Sequence, residues 1–146
     1  MAALALALAG IAGCGESGGV EEGATVTAYV VAPLCPEAKR ALAGKGAEAG
    51  SVRVRTICLQ PVHSDGRLDL AAIGAGARRA TEDSSSIAYI EPPDPAAARF
   101  SEPILESAGV PLIAESSGAA AISQLLKALD EADLDSLRDS VRDALR

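Results

Sequence analysis

Short apolar runs alternate with helix-forming stretches along most of the chain. The runs rich in β-branched or regularly alternating apolar residues predict strands, and they occupy residues 24–31, 51–59, 86–91 and 110–114. The stretches between and after them favour helices, and they occupy residues 36–49, 70–83, 92–107 and 118–129. Strands that alternate with helices form a parallel sheet with helices on its faces. We therefore predict an α/β lobe over residues 24–130, a small doubly wound parallel sheet of about four strands with helices on both faces.

A different pattern fills the end of the chain, at residues 131–146. Leu134, Leu137, Val141 and Leu145 recur there at helical spacing among charged residues, which predicts a C-terminal amphipathic helix. The apolar stripe of this helix is narrow. It fits two uses, because it can close the end of the lobe's own core or dock on a protein partner.

The first residues form an uncharged apolar run at 2–12, which is shorter than the roughly 20 residues that a membrane-spanning helix needs. The four residues that end at Cys14, Ile-Ala-Gly-Cys, resemble the lipobox of bacterial lipoproteins. We therefore predict a lipoprotein signal peptide at 1–13, lipid on Cys14 and a flexible tether at 14–23. We expect the protein on the extracytoplasmic side of the cell membrane, with the lipid anchor as its only contact with the membrane. The alternative is a buried apolar N-terminal helix.

Charge and composition argue against several classes of function. The chain has 13 basic and 20 acidic residues and a net charge of −7, so its surface repels the phosphates of nucleic acids. Aromatic residues make up 2% of the chain, too few for base stacking. His63 is the single histidine, which leaves no histidine-based metal cluster and no choice of base for a nucleophile. We predict that the chain is not an enzyme, that it binds no metal and no cofactor, and that nucleic acid is not its partner.

Ligands of doubly wound sheets bind where the strands end, at their carboxyl ends. Ser116, Ser117 and Gly118 follow a predicted strand and open a predicted helix, so their hydroxyls and backbone N–H groups suit an anion or a carboxyl group. Asp94 lies in the loop after the preceding strand, at the same edge. We therefore take Asp94, Ser116 and Ser117 as candidate ligand-binding residues. Asp94 and either serine also fit a simpler role, that of a helix N-cap.

Two further thiols, Cys35 and Cys58, meet an oxidising compartment if the chain is exported. The helix at 36–49 makes a right-handed crossover between the first two predicted strands, which leaves the carboxyl ends of those strands adjacent. Neighbouring strands lie about 4.8 Å apart, within the Cα separation that a disulfide tolerates. We predict a Cys35–Cys58 disulfide. The alternative is that Cys58 is an inert buried thiol and Cys35 a free surface thiol.

The second half of the predicted lobe resembles a known family. A helix that ends Ala-Arg-Arg-Ala-Thr-Glu-Asp, a strand Ile-Ala-Tyr-Ile and the segment 103–113, PILESAGVPLI, are similar to the N-terminal lobe of type 1 periplasmic binding proteins. These are the substrate-binding lipoproteins of branched-chain amino acid ABC transporters. The resemblance implies a small polar solute such as an amino acid as the ligand, and an ABC permease or a partner lobe as the protein partner.

Two features depart from the family pattern. A complete member closes on its ligand between two lobes, whereas this chain has the material of one lobe. Glu91 and Asp94 also stand where the family receives an α-carboxylate, which favours a ligand with a cationic group. The leading hypothesis is a membrane-anchored extracytoplasmic solute-binding lipoprotein. The alternatives are an interaction or scaffold lipoprotein of the same fold without a small-molecule ligand, and a truncated fragment.

Overall fold

A computed structural model describes residues 19–60, 63, 65 and 67–146 of the chain, and these form one five-stranded sheet with helices on both faces. The strands are β1 (Thr25–Val31), β2 (Glu48–Ala49), β3 (Val52–Leu59), β4 (Ser86–Glu91) and β5 (Leu112–Ala114). They lie in the order β2-β3-β1-β4-β5, and every neighbouring pair is parallel except β2 and β3. The predicted α/β class is confirmed, but the sheet has five strands rather than about four. The predicted signal peptide at 1–13 and Cys14 lie outside the described residues.

In the described part of the chain, five helices cover the sheet, and a short 3-10 turn at Leu134–Ser136 precedes the last one. The helices are α1 (Cys35–Gly44), α2 (Leu70–Glu82), α3 (Pro95–Ser107), α4 (Gly118–Asp130) and α5 (Leu137–Ala144). α1 and α4 pack side by side on one face of the sheet, the α1/α4 face. α2 and α3 pack on the other, the α2/α3 face. Asp69 caps α2 as predicted, by accepting a hydrogen bond from Ala72 N.

The strand order creates a switch point between β1 and β4. The chain runs from β1 to β3 on one side and then returns across β1 to β4 and β5 on the other side. α1 connects β1 to β3 and α2 connects β3 to β4, so the two crossovers lie on opposite faces. In sheets of this kind the loops that follow the two central strands separate and form a crevice.

The predicted helix at 36–49 is wrong at its C-terminal end. α1 ends at Gly44, and Glu48–Ala49 instead pair with β3 as the edge strand β2. The backbone turns through Gly46 and Ala47, whose φ angles are 82° and 56°, a left-handed conformation that interrupts a right-handed helix. Gly44 and Gly46 also lower the helix propensity of this stretch. Residues 48–49 therefore pair with β3 instead of continuing the helix.

α5 closes the core at the amino ends of the parallel strands, and it is shorter than the predicted segment 131–146. Leu137 and Val141 are fully buried in the same apolar cluster as α1 and α4. The Arg138 guanidinium donates to the backbone carbonyls of Ser84 and Ser86, at 3.2 and 3.1 Å, beside the start of β4. The apolar stripe of the C-terminal helix therefore closes the lobe's own core, which is the first of the two uses that the sequence allows.

Candidate functional site

The loops that follow the parallel strands meet at one edge of the sheet, which we call the carboxyl edge. These loops are residues 32–34 after β1, 60–69 after β3, 92–94 after β4 and 115–117 after β5. β1 and β4 lie side by side at the switch point, so the first and third of these loops flank the crevice expected there. The candidate ligand-binding residues Asp94, Ser116 and Ser117 all lie at this edge.

The N-terminus of α4 holds a carboxylate, and that carboxylate belongs to Glu37 of α1. The Ser117 hydroxyl donates to Glu37 Oε1 at 3.0 Å, and the Gly118 N–H donates to Glu37 Oε2 at 3.0 Å. The Ser117 oxygen also accepts a hydrogen bond from Ala120 N at 3.3 Å and so caps the helix. A helix N-terminus favours negative charge, and here the chain itself supplies that charge.

Close packing between α1 and α4 brings these groups together. A Cβ on Gly118 would collide with the Leu34 carbonyl oxygen and lie 2.7 Å from Ala38 N, so α4 begins directly against the first turn of α1. Glu37 is not among the residues predicted from the sequence, because 80 residues separate it from Ser117. An acidic residue in the first turn of a helix is common and gives no sign of a distant partner.

Asp94 caps α3 on the other side of the crevice. Its Oδ1 accepts hydrogen bonds from the backbone N–H groups of Ala96 and Ala97, at 2.7 and 3.4 Å. Asp94 therefore takes the capping role that the sequence allows, as Ser117 does at α4. Because Asp94 caps the helix with its carboxylate, its negative charge stays at the carboxyl edge, where it attracts a cationic group of a ligand.

Glu115 and Ser116 are the other polar residues in the loop after β5. Ser116 is exposed, and the half-buried Glu115 accepts a hydrogen bond from the side-chain amide of Gln124. Together with Glu37 and Asp94, Glu115 makes the part of the edge around α3 and α4 acidic. An acidic edge favours cationic groups of a ligand and repels free carboxylates.

Glu91, the last residue of β4, is buried rather than open to the edge. It is 1% exposed, the Ser101 hydroxyl donates to its Oε1 at 2.8 Å, and its Oε2 has no hydrogen-bond partner among the described residues. Burial raises the pKa of Glu91 and the carboxylates of Asp94 and Glu102 raise it further, while the hydrogen bond from Ser101 opposes them. The sequence predicts that the carboxylates of Glu91 and Asp94 both face a cationic ligand. The Glu91 side chain instead packs against α3.

Tyr89 lies two residues before Glu91 on the same face of β4. Its hydroxyl is buried and has no hydrogen-bond partner among the residues that the structure describes. A Cβ on Gly76 of α2 would lie 2.9 Å from a Leu59 methyl group and 3.3 Å from that hydroxyl, so the glycine makes room for both side chains. Burial and the charge of Glu91 raise the pKa of Tyr89, which keeps its hydroxyl protonated. Two polar groups thus lie buried near the crevice with incomplete hydrogen bonding.

The sulfur atoms of Cys35 and Cys58 lie at disulfide distance, and their Cα atoms are 5.7 Å apart. β1 and β3 are neighbours, with Val30 opposite Cys58, and α1 starts at Cys35 shortly after β1 ends. This adjacency of strands is the basis on which the sequence predicts the pair. Cys35 is buried, so the alternative of a free surface thiol at this position does not fit.

A concavity with a volume of about 480 Å³ lies at the opposite end of the sheet from the carboxyl edge. Glu22, Glu48 and Arg53 are among the residues that line it. All three side chains are exposed and their charges are of both signs. The carboxyl edge is the better candidate because the switch point between β1 and β4 lies there, and ligands of doubly wound sheets bind at such points.

No protein-family model matches the chain, and no curated protein is significantly similar to it. Residues 19–60, 63, 65 and 67–146 contain no group of three or more His, Cys, Asp or Glu side chains placed to hold a metal ion. Within the same residues, no helix is long and apolar enough to cross a membrane. The function is therefore inferred from the fold and from the carboxyl edge.

Proposed function

We propose that the chain is a membrane-anchored extracytoplasmic lipoprotein that binds a small polar solute at the carboxyl edge, as one lobe of an amino-acid ABC-transporter substrate-binding protein does. The observation that carries the proposal is the strand order, with its switch point between β1 and β4. Ligands of doubly wound sheets bind at such points. The Cys35–Cys58 pair supports an oxidising compartment, where disulfides persist. In this proposal lipid on Cys14 is the anchor, and a partner lobe or an ABC permease completes the assembly.

The proposed ligand carries a cationic group, as a basic amino acid or a polyamine does. Asp94 and Glu115 give the edge negative charge, and Ser116 offers an exposed hydroxyl. Glu37 accepts the hydrogen bonds that the α4 N-terminus donates, so these donors are not free to bind a carboxylate of the ligand. One lobe covers only part of a small ligand, so we expect a dissociation constant of about 1 mM, near −4 kcal/mol.

Calorimetric titration of the exported protein with lysine, putrescine and leucine tests this proposal. We expect lysine and putrescine to bind and leucine to bind at least about tenfold more weakly, because leucine lacks a side-chain cation. Asp94→Asn is informative because Asn also caps helices, so the variant loses the charge and keeps the cap. It should weaken binding of the two cationic solutes about threefold to tenfold.

Asp139→Asn makes the same change at an exposed position of α5, far from the carboxyl edge, and should leave binding unchanged. Absence of heat from all three solutes, at about ten times the expected dissociation constant, would contradict the proposed ligand class.

One observation favours a second function, an interaction lipoprotein of the same fold without a small-molecule ligand. Both carboxylate oxygens of Glu37 are bound at the α4 N-terminus, so the receptor that the sequence predicts there for an anion or a carboxyl group is already filled. In that case the carboxyl edge contacts a protein partner. Glu37→Gln loses the charge and weakens this internal contact, and Glu48→Gln makes the same change at an exposed position of β2. Failure of the wild type and of Glu37→Gln to bind any of the solutes favours the interaction function, and solute binding by the wild type contradicts it.

A further inference from the structure

The chain enters the described part of the lobe at a fixed point, beside the 3-10 turn at Leu134–Ser136. The Val20 N–H donates to the Leu134 carbonyl oxygen at 2.9 Å. Gly19 passes so close to the turn that a Cβ on it would lie 2.6 Å from the Asp135 carbonyl oxygen. Gly19 and Val20 lie within the tether predicted at 14–23, and their contact with the turn attaches it to the lobe, which leaves residues 15–18 between Cys14 and the attachment point.

The 3-10 turn is held at the amino ends of the parallel strands. It leads directly into α5, whose Leu137 and Val141 are fully buried. Arg138 of α5 donates to the carbonyls of Ser84 and Ser86, beside the start of β4. The attachment point of the tether is thus at the opposite end of the lobe from the carboxyl edge.

The tether can span only a short distance. Cys14 and Gly19 are five positions apart in the chain. A fully extended chain covers at most about 3.6 Å per residue, so the reach is about 18 Å. β1 and β3 have seven and eight residues. At about 3.3 Å per residue, they separate the two ends of the sheet by about 25 Å.

We infer that the end of the lobe formed by the 3-10 turn and α5 is its lipid-facing surface, and that the carboxyl edge points away from the bilayer. This inference rests on the proposed lipid anchor at Cys14 and adds the side from which a solute or a partner lobe approaches. The partner of the surface is a layer of lipid headgroups. Exposed carboxylates surround the attachment point, on Glu21, Glu22, Asp133 and Asp135. They repel anionic headgroups, so the tether rather than adsorption holds the surface near the membrane.

Energy transfer from a single tryptophan to labelled lipid tests the orientation. The natural chain has no Trp, so Asp139→Trp on α5 and Ser116→Trp at the carboxyl edge each introduce a unique donor at an exposed position. The protein is coupled through Cys14 to a maleimide lipid in phosphatidylcholine vesicles that also contain dansyl-headgroup lipid. With Cys35 and Cys58 paired, Cys14 is the one remaining thiol of the three cysteines. We expect at least about threefold more transfer from Asp139→Trp than from Ser116→Trp, given the distance of about 25 Å between the two ends.

Insertion of about 20 Gly and Ser residues before Gly19 serves as the control, because such a linker adds about 25 Å of reach and should abolish the difference. Circular dichroism checks that both Trp variants are folded, and flotation of the vesicles checks the coupling. Equal transfer, or more transfer from Ser116→Trp, with the natural tether would overturn the inference. Since the coupling is chemical, the result does not depend on lipidation in cells. Mass spectrometry that finds no lipid on Cys14 of the exported protein contradicts the proposed anchor separately.

Discussion

The two faces of the sheet are built from the same strands, yet they bury different chemistry. On the α1/α4 face, Val26 and Val30 of β1 meet Ile122, Leu125 and Leu129 of α4 in an aliphatic core. Such a core gains free energy from burial and makes no demand for hydrogen bonds. This face therefore supplies stability without polar groups that need partners.

The α2/α3 face buries polar groups among its apolar ones. Near the amino ends of the strands, the Tyr29 hydroxyl donates to Asp83 at 2.9 Å, and Asp83 also accepts from the N–H and hydroxyl of Ser85. Near the carboxyl ends, Tyr89 and Glu91 each have a polar atom without a partner among the described residues. A buried polar group without a partner costs about 1–3 kcal/mol. Ser86 and Arg142, near the amino ends, also each have a buried atom without such a partner. Unpartnered polar atoms therefore lie at both ends of the lobe, and those of Tyr89 and Glu91 lie at the end where we propose binding.

The largest expected effect is a loss of aliphatic packing on the α1/α4 face. Leu125 is 0% exposed, and Leu125→Ala should lower the free energy of unfolding by about 3–4 kcal/mol through lost burial and a cavity. Urea unfolding at neutral pH measures this. Leu112→Ala, on the partly exposed edge strand β5, serves as the control and should cost less than about 1.5 kcal/mol. Equal costs at the two positions would mean that the aliphatic face is not the main source of stability.

The next effect concerns the Cys35–Cys58 pair, which borders the α1/α4 face. Replacement of both cysteines by Ala should lower the free energy of unfolding by roughly 3 kcal/mol, because the two residues are 23 positions apart and their link restricts the unfolded chain. Cys14→Ser is the matched control and should leave stability unchanged. Thiol counting on the denatured exported protein gives the decisive result, since free thiols at Cys35 and Cys58 would refute the link.

Local patterns predict much of this fold. β4 spans residues 86–91, the same bounds that its short apolar run predicts, and Asp69 caps α2 as its position predicts. The proximity of Cys35 and Cys58 follows from the adjacency of two parallel strands joined by one helix. These features depend on residues close in the chain or on simple rules of chain crossing, which a sequence contains directly.

The features that the sequence does not predict depend on contacts between distant residues. β2 exists as a partner of β3 and requires Ala47 to adopt a positive φ, which alanine disfavours on its own. Glu37 meets Ser117 only because α1 and α4 pack together. The burial of Glu91 likewise depends on α3, which supplies Ser101 as its hydrogen-bond donor.

A pH-dependent effect should distinguish the two ends of the α2/α3 face. The pKa of Glu91 is raised in the folded state above the usual value near 4.5, so its contribution to stability is present below that value and is lost as the pH rises through the folded pKa. Glu91→Gln keeps an oxygen that accepts the hydrogen bond from Ser101. Because glutamine does not ionise, the variant does not lose stability as the pH rises. It should raise the free energy of unfolding at neutral pH by about 1 kcal/mol and change it little near pH 4. Urea unfolding across this pH range measures both values.

Asp83, at the other end of the same face, should behave in the opposite way. Burial acts to raise its pKa, but hydrogen bonds from Ser85 and Tyr29 outweigh burial and lower the pKa of Asp83 below 3.8. Its contribution is therefore present above that value and is lost as the pH falls through the folded pKa. Asp83→Asn should destabilise the protein at neutral pH. If Asp83→Asn and Glu91→Gln change stability in the same direction there, the contrast between the two ends is wrong.

The smallest expected effect separates two buried tyrosines on the α2/α3 face. Tyr29→Phe removes the hydroxyl that donates to Asp83 and should lower the free energy of unfolding by about 1 kcal/mol. Tyr89→Phe removes a hydroxyl that has no partner among the described residues, so it should change the free energy of unfolding by less than about 0.5 kcal/mol or raise it. Each variant controls for the other, because both keep the ring and its packing. Urea unfolding of the pair measures the difference, and a cost above about 1 kcal/mol for Tyr89→Phe would mean that its hydroxyl is hydrogen-bonded in solution.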